Sequence, residues 1–223
     1  MASKQIGEVQ PASRAPQPFR EIAHRLPNHT MHTILDVGAN LGQSSTTYAK
    51  LFPDADIWFF EPVPESFARA SDLLAHAPRV RGINKAVSDR DASVKMSISG
   101  TSASNRVIAT DGPRAVEIES IRLDSFAMEN GIKQISFLKI DVEGHELSVL
   151  DGAREALGRT DFVQLELGMN LENTFHVPFS IAVETMNNHG FSVFLVCKQM
   201  FERDFPHLNR SDTVFINRSI QLG

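Results

Sequence analysis

The segment 36–44, D-V-G-A-N-L-G-Q-S, has the residue types and spacing of a ligand-binding turn. An apolar run at 33–35 precedes it and an amphipathic stretch follows, which predicts a buried strand, a tight turn and a helix start. Because Gly38 and Gly42 have no Cβ, the backbone N–H groups of such a turn can approach a ligand closely. The spacing differs from the G-x-G-x-x-G turn that binds the pyrophosphate of a dinucleotide.

An acidic residue stands at the end of the next apolar run. Glu61 follows 57–60, and in a βαβ unit a carboxylate at this place accepts hydrogen bonds from both ribose hydroxyls of a nucleoside. A nucleoside site that lacks a pyrophosphate cradle indicates S-adenosylmethionine as the ligand. We therefore expect cofactor contacts from Gly38, Asn40, Gly42 and Glu61, although the two glycines could also be plain turn residues.

Three further polar residues are candidates for the same ligand. Asp36 is expected to orient the turn and to lie near the amino group of the methionine moiety, with a simple turn cap as the alternative. Ser88 and Asp89 follow a predicted strand, at the place where an adenine amino group finds an acceptor in this architecture. Glu61 precedes Pro62, so a solvated acid in a turn is the alternative at that position.

Alternating strand and helix patterns along the chain predict an α/β sheet that positions these residues. Apolar faces at helical spacing predict helices after the first two strands, near 125–129, over 147–157 and over 178–189. The predicted strands cover 33–37, 57–60, 79–87, 135–140, 162–167, 191–196 and 213–216.

The alternation of strands and helices breaks between 91 and 123. Short stretches at 93–98, 106–110 and 116–123 alternate polar and apolar residues with a period of two. This pattern, with polar connectors, predicts an antiparallel hairpin or flap outside the main sheet.

The domain organisation is expected to be simple. Residues 1–30 are predicted to form a mobile tail with room for a short helix, because 1–18 is rich in Pro, Gln, Ala and Ser and has no apolar signal-peptide core. Residues 31–223 are predicted to form a single domain, since no linker separates a second one.

Composition narrows the classes of function. A net charge of −5 and a pI near 5.9 argue against a general nucleic-acid binder. No apolar stretch approaches the roughly 20 residues of a membrane span. The single cysteine, Cys197, excludes an internal disulfide and a cysteine-based zinc site, and we expect it to pack in the core. These features suit a reducing compartment, so a cytoplasmic location is expected.

The chain resembles the FkbM-type S-adenosylmethionine-dependent methyltransferases from about 33 to about 215. The most specific segments are F-L-K-I-D-V-E-G-H-E at 137–146 and V-L-D-G-A at 149–153. Supporting segments are D-V-G-A-N-x-G at Asp36, F-E-P at Phe60, A-V-S-D at Ala86 and R-L-D at Arg122.

The resemblance implies a Rossmann-like seven-stranded methyltransferase sheet. It would be mostly parallel, with one antiparallel strand near the C-terminus and helices on both faces. It also implies O-methylation of a hydroxyl group on a sugar, a glycan or a natural-product scaffold. Relatives often continue the segment at Glu166 as E-x-H, whereas this chain has Glu166-Leu167-Gly168.

The strand 135–140 places charged residues at the carboxyl edge of the sheet. Phe137, Lys139 and Asp141 point to one side of an extended strand. An unpaired buried Lys139 would be costly, so we expect it to contact either Asp141 or Glu166. Such an ion pair could simply finish the strand, or it could place Asp141 in the active site.

The expected chemistry needs an aligned hydroxyl and a group that takes its proton. Asp141 is the first candidate for this catalytic role and also for a cofactor contact, with Glu143 and His145 behind it. Acids at a helix start are favoured by the helix dipole in any case, so Glu143 also has a structural explanation. Glu166 is expected to hold substrate. His176 is the other imidazole near the proposed cleft and is expected to face solvent.

No metal site is predicted, although Asp141 and Glu166 would offer oxygen ligands to a divalent metal. The expected partner is a small-molecule or glycan acceptor, with no nucleic acid and no membrane. Two alternatives stay open: a cofactor-binding module of this fold without activity, and a dinucleotide-dependent oxidoreductase. The sequence identifies neither the acceptor nor the oligomeric state.

Overall fold

Two sheets and seven helices make up the computed structural model, which describes residues 16–97, 106–108, 115–170, 173, 175–201 and 207–220. In chain order the strands are β1 (Thr33–Val37), β2 (Asp56–Phe60), β3 (Val80–Ile83), β4 (Ala86–Val87), β5 (Ser93–Ser97), β6 (Arg106–Ile108), β7 (Ala115–Ile121), β8 (Ile135–Ile140), β9 (Thr160–Gly168), β10 (Phe191–Phe201) and β11 (Leu208–Asn217). The helices are α1 (Gln17–Arg25), α2 (Gln43–Leu51), α3 (Pro64–Leu74), α4 (Leu123–Glu129), α5 (Glu146–Asp151), α6 (Arg154–Leu157) and α7 (Phe179–Asn188).

The main sheet has seven strands in the order β10-β11-β9-β8-β1-β2-β3. The β9-β8-β1-β2-β3 pairs are parallel, whereas β11 runs antiparallel to both β9 and β10. The prediction of a mostly parallel sheet with one antiparallel strand near the C-terminus is therefore confirmed. Strands β10 and β11 are longer than the segments 191–196 and 213–216 that the apolar pattern marks.

Helices cover both faces of this sheet, as predicted. Because side chains alternate along a strand, Ile34 and Phe137 pack toward α1 and α2, whereas Leu35 and Leu138 pack toward α4 to α7. Helix α3 packs on Phe59, on the same face as α1 and α2.

The predicted insertion forms a second sheet in the order β4-β7-β5-β6. Strand β5 is antiparallel to β6 and β7, which matches the predicted hairpin. The ends of two predicted stretches, residue 98 of 93–98 and residues 109–110 of 106–110, lie outside the described residues. The single strand predicted over 79–87 is wrong, because β4 leaves the main sheet and pairs with β7. The Asn84 amide donates to the carbonyls of Glu61 and Pro62, at 2.8 and 3.1 Å, and turns the chain away.

The single helix predicted over 147–157 is divided into α5 and α6. At the division, a Cβ on Gly152 would clash with the carbonyl of Ser88, so a glycine is needed for this close packing. Asp124 Oδ1 then accepts hydrogen bonds from the backbone N–H groups of Glu155 and Ala156 and caps α6.

Helix α1 fills the place of the short helix expected before residue 31. Its Phe19 and Ile22 are buried, and the Phe19 ring lies 4.9 Å from that of Phe137. The remainder of the predicted tail, 1–15, lies outside the described residues. No helix in the part of the chain that the structure describes is long and apolar enough to cross a membrane.

Candidate active site

A cleft opens at the carboxyl ends of β1, β2 and β8, with about 740 Å³ of empty space that includes its open mouth. This is the edge at which ligands bind in open α/β sheets. Six predicted site residues line the cleft: Gly38, Asn40, Glu61, Asp141, Glu143 and His145. Asp36, Gly42, Ser88, Asp89 and Glu166 are not part of its lining.

The two turn glycines have different surroundings. Both have φ of 81°, in the left-handed region that favours glycine. A Cβ on Gly38 would clash with the carbonyl of Asp141, so Gly38 lets the turn after β1 lie against the end of β8. A Cβ on Gly42 would lie 3.2 Å from that of Ala70, so Gly42 allows α2 to approach α3.

Glu61 and Asn40 present oxygen acceptors to the cleft. Glu61 Oε2 accepts from the backbone N–H of Asn40 at 2.8 Å, and Oε1 accepts from that of Val63 at 2.9 Å. Burial raises the pKa of Glu61, although these two N–H groups act to lower it. Each carboxylate oxygen can accept another hydrogen bond. Asn40 Oδ1 is buried and has no hydrogen-bond partner among the described residues. The site therefore suits a ligand with hydroxyl or ammonium donors.

Apolar side chains form another wall of the cleft. Phe60 comes from β2, Val87 from β4 and Met96 from β5, so the small sheet contributes directly to the site. Such a wall suits a flat aromatic group, and a polarizable methionine sulfur packs well against one. Met96 was missed in the sequence, where its alternation with Val94 identifies a buried face but not what it covers.

Ser88 acts on the cleft through His145. Ser88 is buried, and its Oγ lies 3.1 Å from Asp89 Oδ1 and 2.9 Å from His145 Nε2. Because Asp89 can only accept, Ser88 donates to it and His145 Nε2 donates to Ser88. Burial lowers the pKa of His145, which favours a neutral ring. The side chain of Arg90 holds the pKa of the exposed Asp89 at about 2.

A buried charge network lies at the end of the cleft. Lys139 Nζ is 2.9 Å from Asp141 Oδ2 and 3.7 Å from Asp36 Oδ1, so the first of the two contacts expected for Lys139 is present. Ser45 Oγ donates to Asp36 at 2.7 Å, and Asp36 lies beneath the turn, fully buried. Burial raises the pKa of Asp36. Burial would also raise the pKa of Asp141, but the Lys139 ammonium holds the pKa of this carboxyl below its ordinary value.

Glu143, Glu166 and His176 meet beside Asp141. His176 Nε2 lies 3.2 Å from Glu166 Oε2 and 3.8 Å from Glu143 Oε2. Burial, reinforced by the charges of Asp141 and Glu166, raises the pKa of Glu143 to about 7. Burial lowers the pKa of His176, but the neighbouring carboxylates raise it overall. The expected solvent exposure of His176 is wrong, since the residue is buried.

A second cavity begins on the other side of Asp141. Its lining includes Asp141 and Lys139, residues Ser44 and Tyr48 of α2, and Asp212 of β11. Because Asp141 lines both cavities, it is the residue that the two sites share.

Comparison with known proteins identifies the family to which this chain is similar. A model of the methyltransferase FkbM domain matches residues 36–193. The 2-O-methyltransferase NoeI of Sinorhizobium fredii is 30% identical over 152 residues, which cover 60% of this chain and 62% of NoeI. The hexuronic acid methyltransferase AglP of Haloferax volcanii is 29% identical over 134 residues, covering 59% of this chain and 54% of AglP. The matches thus span less than two thirds of these relatives.

Solved structures share the fold. A precorrin-6y C5,15-methyltransferase from Geobacter metallireducens has a TM-score of 0.52 and 14% identity, covering 98% of this chain and 93% of its own. Aeropyrum pernix fibrillarin with natively bound S-adenosylmethionine has a TM-score of 0.51 and 11% identity, covering 92% and 76%. At these identities the likeness concerns the fold alone.

Proposed function

The chain belongs to the methyltransferase FkbM domain family, and from this premise we propose that it transfers the methyl group of S-adenosylmethionine to a hydroxyl group of a sugar or glycan. The observation that carries the proposal is the set of groups that line the cleft. The cleft is lined by Glu61 and Asn40, by an apolar wall and by Asp141, which also lines the second cavity.

The residues present fit this cofactor. The Glu61 carboxylate accepts hydrogen bonds from the ribose hydroxyls, using the lone pairs that Asn40 and Val63 leave free. Phe60 and Met96 face the nucleobase. Asn40 Oδ1, which lacks a donor within the described chain, accepts one from the ligand. Asp36 and Ser88 do not line the cleft but contact other residues of the site. Asp36 lies beside the Lys139 ammonium, and Ser88 is hydrogen-bonded to His145.

When bound, the cofactor supplies an electrophilic methyl group, so the protein mainly has to align an acceptor oxygen with it. Such alignment can contribute on the order of 7–11 kcal/mol in the best cases. Asp141, which Lys139 keeps ionised, orients the reacting groups from its place in the lining of both cavities. Glu143 activates the acceptor hydroxyl. His145 is a neutral ring that Ser88 holds in place, which leaves it as a further catalytic candidate.

The acceptor class rests on two kinds of support. NoeI and AglP are described as a 2-O-methyltransferase and a hexuronic acid methyltransferase, so both names are compatible with methylation of oxygen. The groups beside Asp141, which include Glu143, Glu166 and Arg210, suit an acceptor with many hydroxyls, because carboxylates accept and guanidinium donates.

A transfer assay tests the proposal. The purified protein is incubated with S-adenosylmethionine carrying a labelled methyl group and with a panel of neutral sugars, hexuronic acids and polyketide-like alcohols. We expect label in at least one sugar. Calorimetric titration with S-adenosylhomocysteine and, separately, with NAD distinguishes this function from the two alternatives, an oxidoreductase and a non-catalytic module. Binding of NAD without binding of S-adenosylhomocysteine would indicate an oxidoreductase, and cofactor binding without transfer to any acceptor would indicate a non-catalytic module.

A further inference from the structure

Three side chains with metal-ligand chemistry meet beside the cleft from separate parts of the fold. Glu143 follows β8, Glu166 belongs to β9 and His176 precedes α7, and one ligand atom from each lies within 4.8 Å of the others. We propose that Glu143, Glu166 and His176 bind one divalent transition-metal cation next to the acceptor hydroxyl. The binding itself is independent of the proposed function, whereas its role in catalysis rests on that function.

The separations of the three groups suit a coordination shell. Oxygen and nitrogen ligands bind such a cation at about 2.0–2.2 Å, so neighbouring ligands in a tetrahedral or octahedral shell lie roughly 2.8–3.6 Å apart. His176 Nε2 is 3.2 Å from Glu166 Oε2 and 3.8 Å from Glu143 Oε2, close to these separations. The ligand atoms of Glu143 and Glu166 lie within 4.8 Å of each other, so the two carboxylates would move closer around a common ion.

The tautomer of His176 is set by Asn173. Asn173 Oδ1 accepts from the backbone N–H groups of Phe175 and His176, and its Nδ2 donates to Asn209, so the orientation of the amide is fixed. The same Oδ1 lies 3.2 Å from His176 Nδ1, which therefore carries a proton. Nε2 faces the carboxylates and donates to Glu166 Oε2 at 3.2 Å, and loss of this proton would free its lone pair for a cation. Metal-binding histidines are held by a second partner on the other ring nitrogen in the same way.

The cluster also has unused acceptors. Glu143 has a side chain that is 18% exposed, but its Oε2 is fully shielded and has no hydrogen-bond partner among the described residues. Glu146 is completely buried, and its Oε2 likewise finds no donor in the described chain. Burial raises the pKa of Glu146, and the charge of His176 acts against that rise. Buried acceptors without donors are costly. A cation would bind the orphaned oxygen of Glu143 and compensate the charge of Glu146.

The negative charge of the cluster attracts either a proton or a metal. The carboxylates of Glu143 and Glu166, at 3.8 and 3.2 Å from His176 Nε2, would stabilise a cation in the place of a proton on that nitrogen. Arg210 Nη1 lies 3.2 Å from Glu166 Oε1 and leaves Oε2 for the ion. Two carboxylates with one imidazole suit Mn²⁺, Fe²⁺ or Zn²⁺ better than Mg²⁺ or Ca²⁺, which prefer oxygen ligands throughout.

A cation at this place explains how Glu143 would activate the acceptor. A bound metal would lower the pKa of a coordinated hydroxyl, so its proton could pass to water or to a weak base such as the neutral His145 ring as the oxygen takes the methyl group. Glu143 would then act as a ligand of the ion. Asp141, whose carboxylate is paired with Lys139, would remain available to orient the reacting groups.

Titration with metal alone tests the site. The full chain, stripped with a chelator and free of cofactor and acceptor, is titrated with Mn²⁺ while the signal of free Mn²⁺ is followed by electron paramagnetic resonance. We expect one saturable site, weakened about tenfold or more in Glu143→Gln and in His176→Ala. Glu184→Gln, an exposed glutamate on α7, is the matched control and should bind as the native chain does.

The outcomes separate this proposal from the proposed function. Circular dichroism checks that each variant is folded. If His176→Ala does not fold, Glu143→Gln still tests the site, because glutamine has nearly the same shape as glutamate. Absence of a saturable site for Mn²⁺ and, in a calorimetric repeat, for Zn²⁺ would overturn the proposal, as would unchanged binding in Glu143→Gln. If methyl transfer persists after complete removal of metal, the catalytic role is overturned while the proposed function stands.

Discussion

Lys139 donates a hydrogen bond of 2.9 Å to Asp141 at the carboxyl end of β8, and Asp141 lines both cavities. This ammonium also lies 3.7 Å from Asp36, so one buried cation serves two carboxylates. The same contact supports the fold beneath the turn after β1 and fixes a charged group in the site. Stability and catalysis can therefore be tested at the same pair.

Removal of the ammonium should be strongly destabilising. Lys139→Met leaves the carboxylates of Asp36 and Asp141 without their partner, and loss of one member of a buried ion pair costs about 3–5 kcal/mol. Urea unfolding of the native chain and the variant measures this difference. The double variant Lys139→Met with Asp141→Asn should recover part of the loss. A loss of less than about 1 kcal/mol for the single variant would mean that the network is well solvated.

Asp141→Asn should separate binding from turnover. The amide keeps the shape of the carboxylate, so we expect affinity for S-adenosylhomocysteine to stay near the native value while most of the activity is lost. An interaction made mainly in the transition state lowers kcat and kcat/KM together. Steady-state kinetics with the acceptor found in the transfer assay checks this pattern. Full activity on both sides of neutral pH would place the essential group elsewhere, with Glu143 and His145 as the next residues to test.

Glu61 should control cofactor affinity. Each hydrogen bond to a charged group contributes about 1.5–3 kcal/mol, so Glu61→Ala should weaken S-adenosylhomocysteine binding at least about tenfold, and Glu61→Gln less. Isothermal titration calorimetry on folded protein measures both. Glu65→Gln, an exposed acid on α3, is the matched control. Equal affinities in all four proteins would remove Glu61 from the cofactor site.

Gly42 should matter for stability more than for cofactor binding. Its φ of 81° strains any other residue by roughly 1–2 kcal/mol, and a new Cβ would press on Ala70. Gly42→Ala should therefore lower the free energy of unfolding by about that amount and leave S-adenosylhomocysteine affinity nearly unchanged, because Gly42 does not line the cleft. A large loss of affinity in a stable variant would show that this glycine contacts the ligand after all.

Local patterns in the sequence predicted the parts of the fold that depend on local burial. The apolar runs identified the main strands, and the cost of burying Lys139 predicted a contact with either Asp141 or Glu166, of which the first is present. The breaks after β3 and between α5 and α6 were missed. The first lies where the Asn84 side chain donates a hydrogen bond to the carbonyl of Glu61, and the second lies where Gly152 packs against the carbonyl of Ser88. These partners are distant in the sequence, so no local pattern identifies them.

The candidate site was predicted unevenly for the same reason. Gly38, between β1 and α2, and Glu61, between β2 and α3, each lie in a strand–turn–helix unit that local patterns identify, and both line the cleft. Met96 reaches the cleft because the small sheet folds back over it, which its alternation does not indicate. His176 is buried because Asn173 and Glu166 enclose its ring, and a lone histidine after a strand carries no signal of that enclosure.

The chemical identity of the methylated product tests most directly whether a sugar hydroxyl accepts the methyl group. The acceptor found in the transfer assay is recovered after reaction with labelled cofactor, analysed by mass spectrometry and treated with alkali. We expect one labelled methyl group in an alkali-stable ether on a sugar hydroxyl, formed much more slowly when Asp141→Asn replaces the native chain. Label released by alkali would indicate a methyl ester on a carboxylate, and label on nitrogen or carbon, or in no sugar at all, would equally contradict the assignment of a sugar hydroxyl as the acceptor.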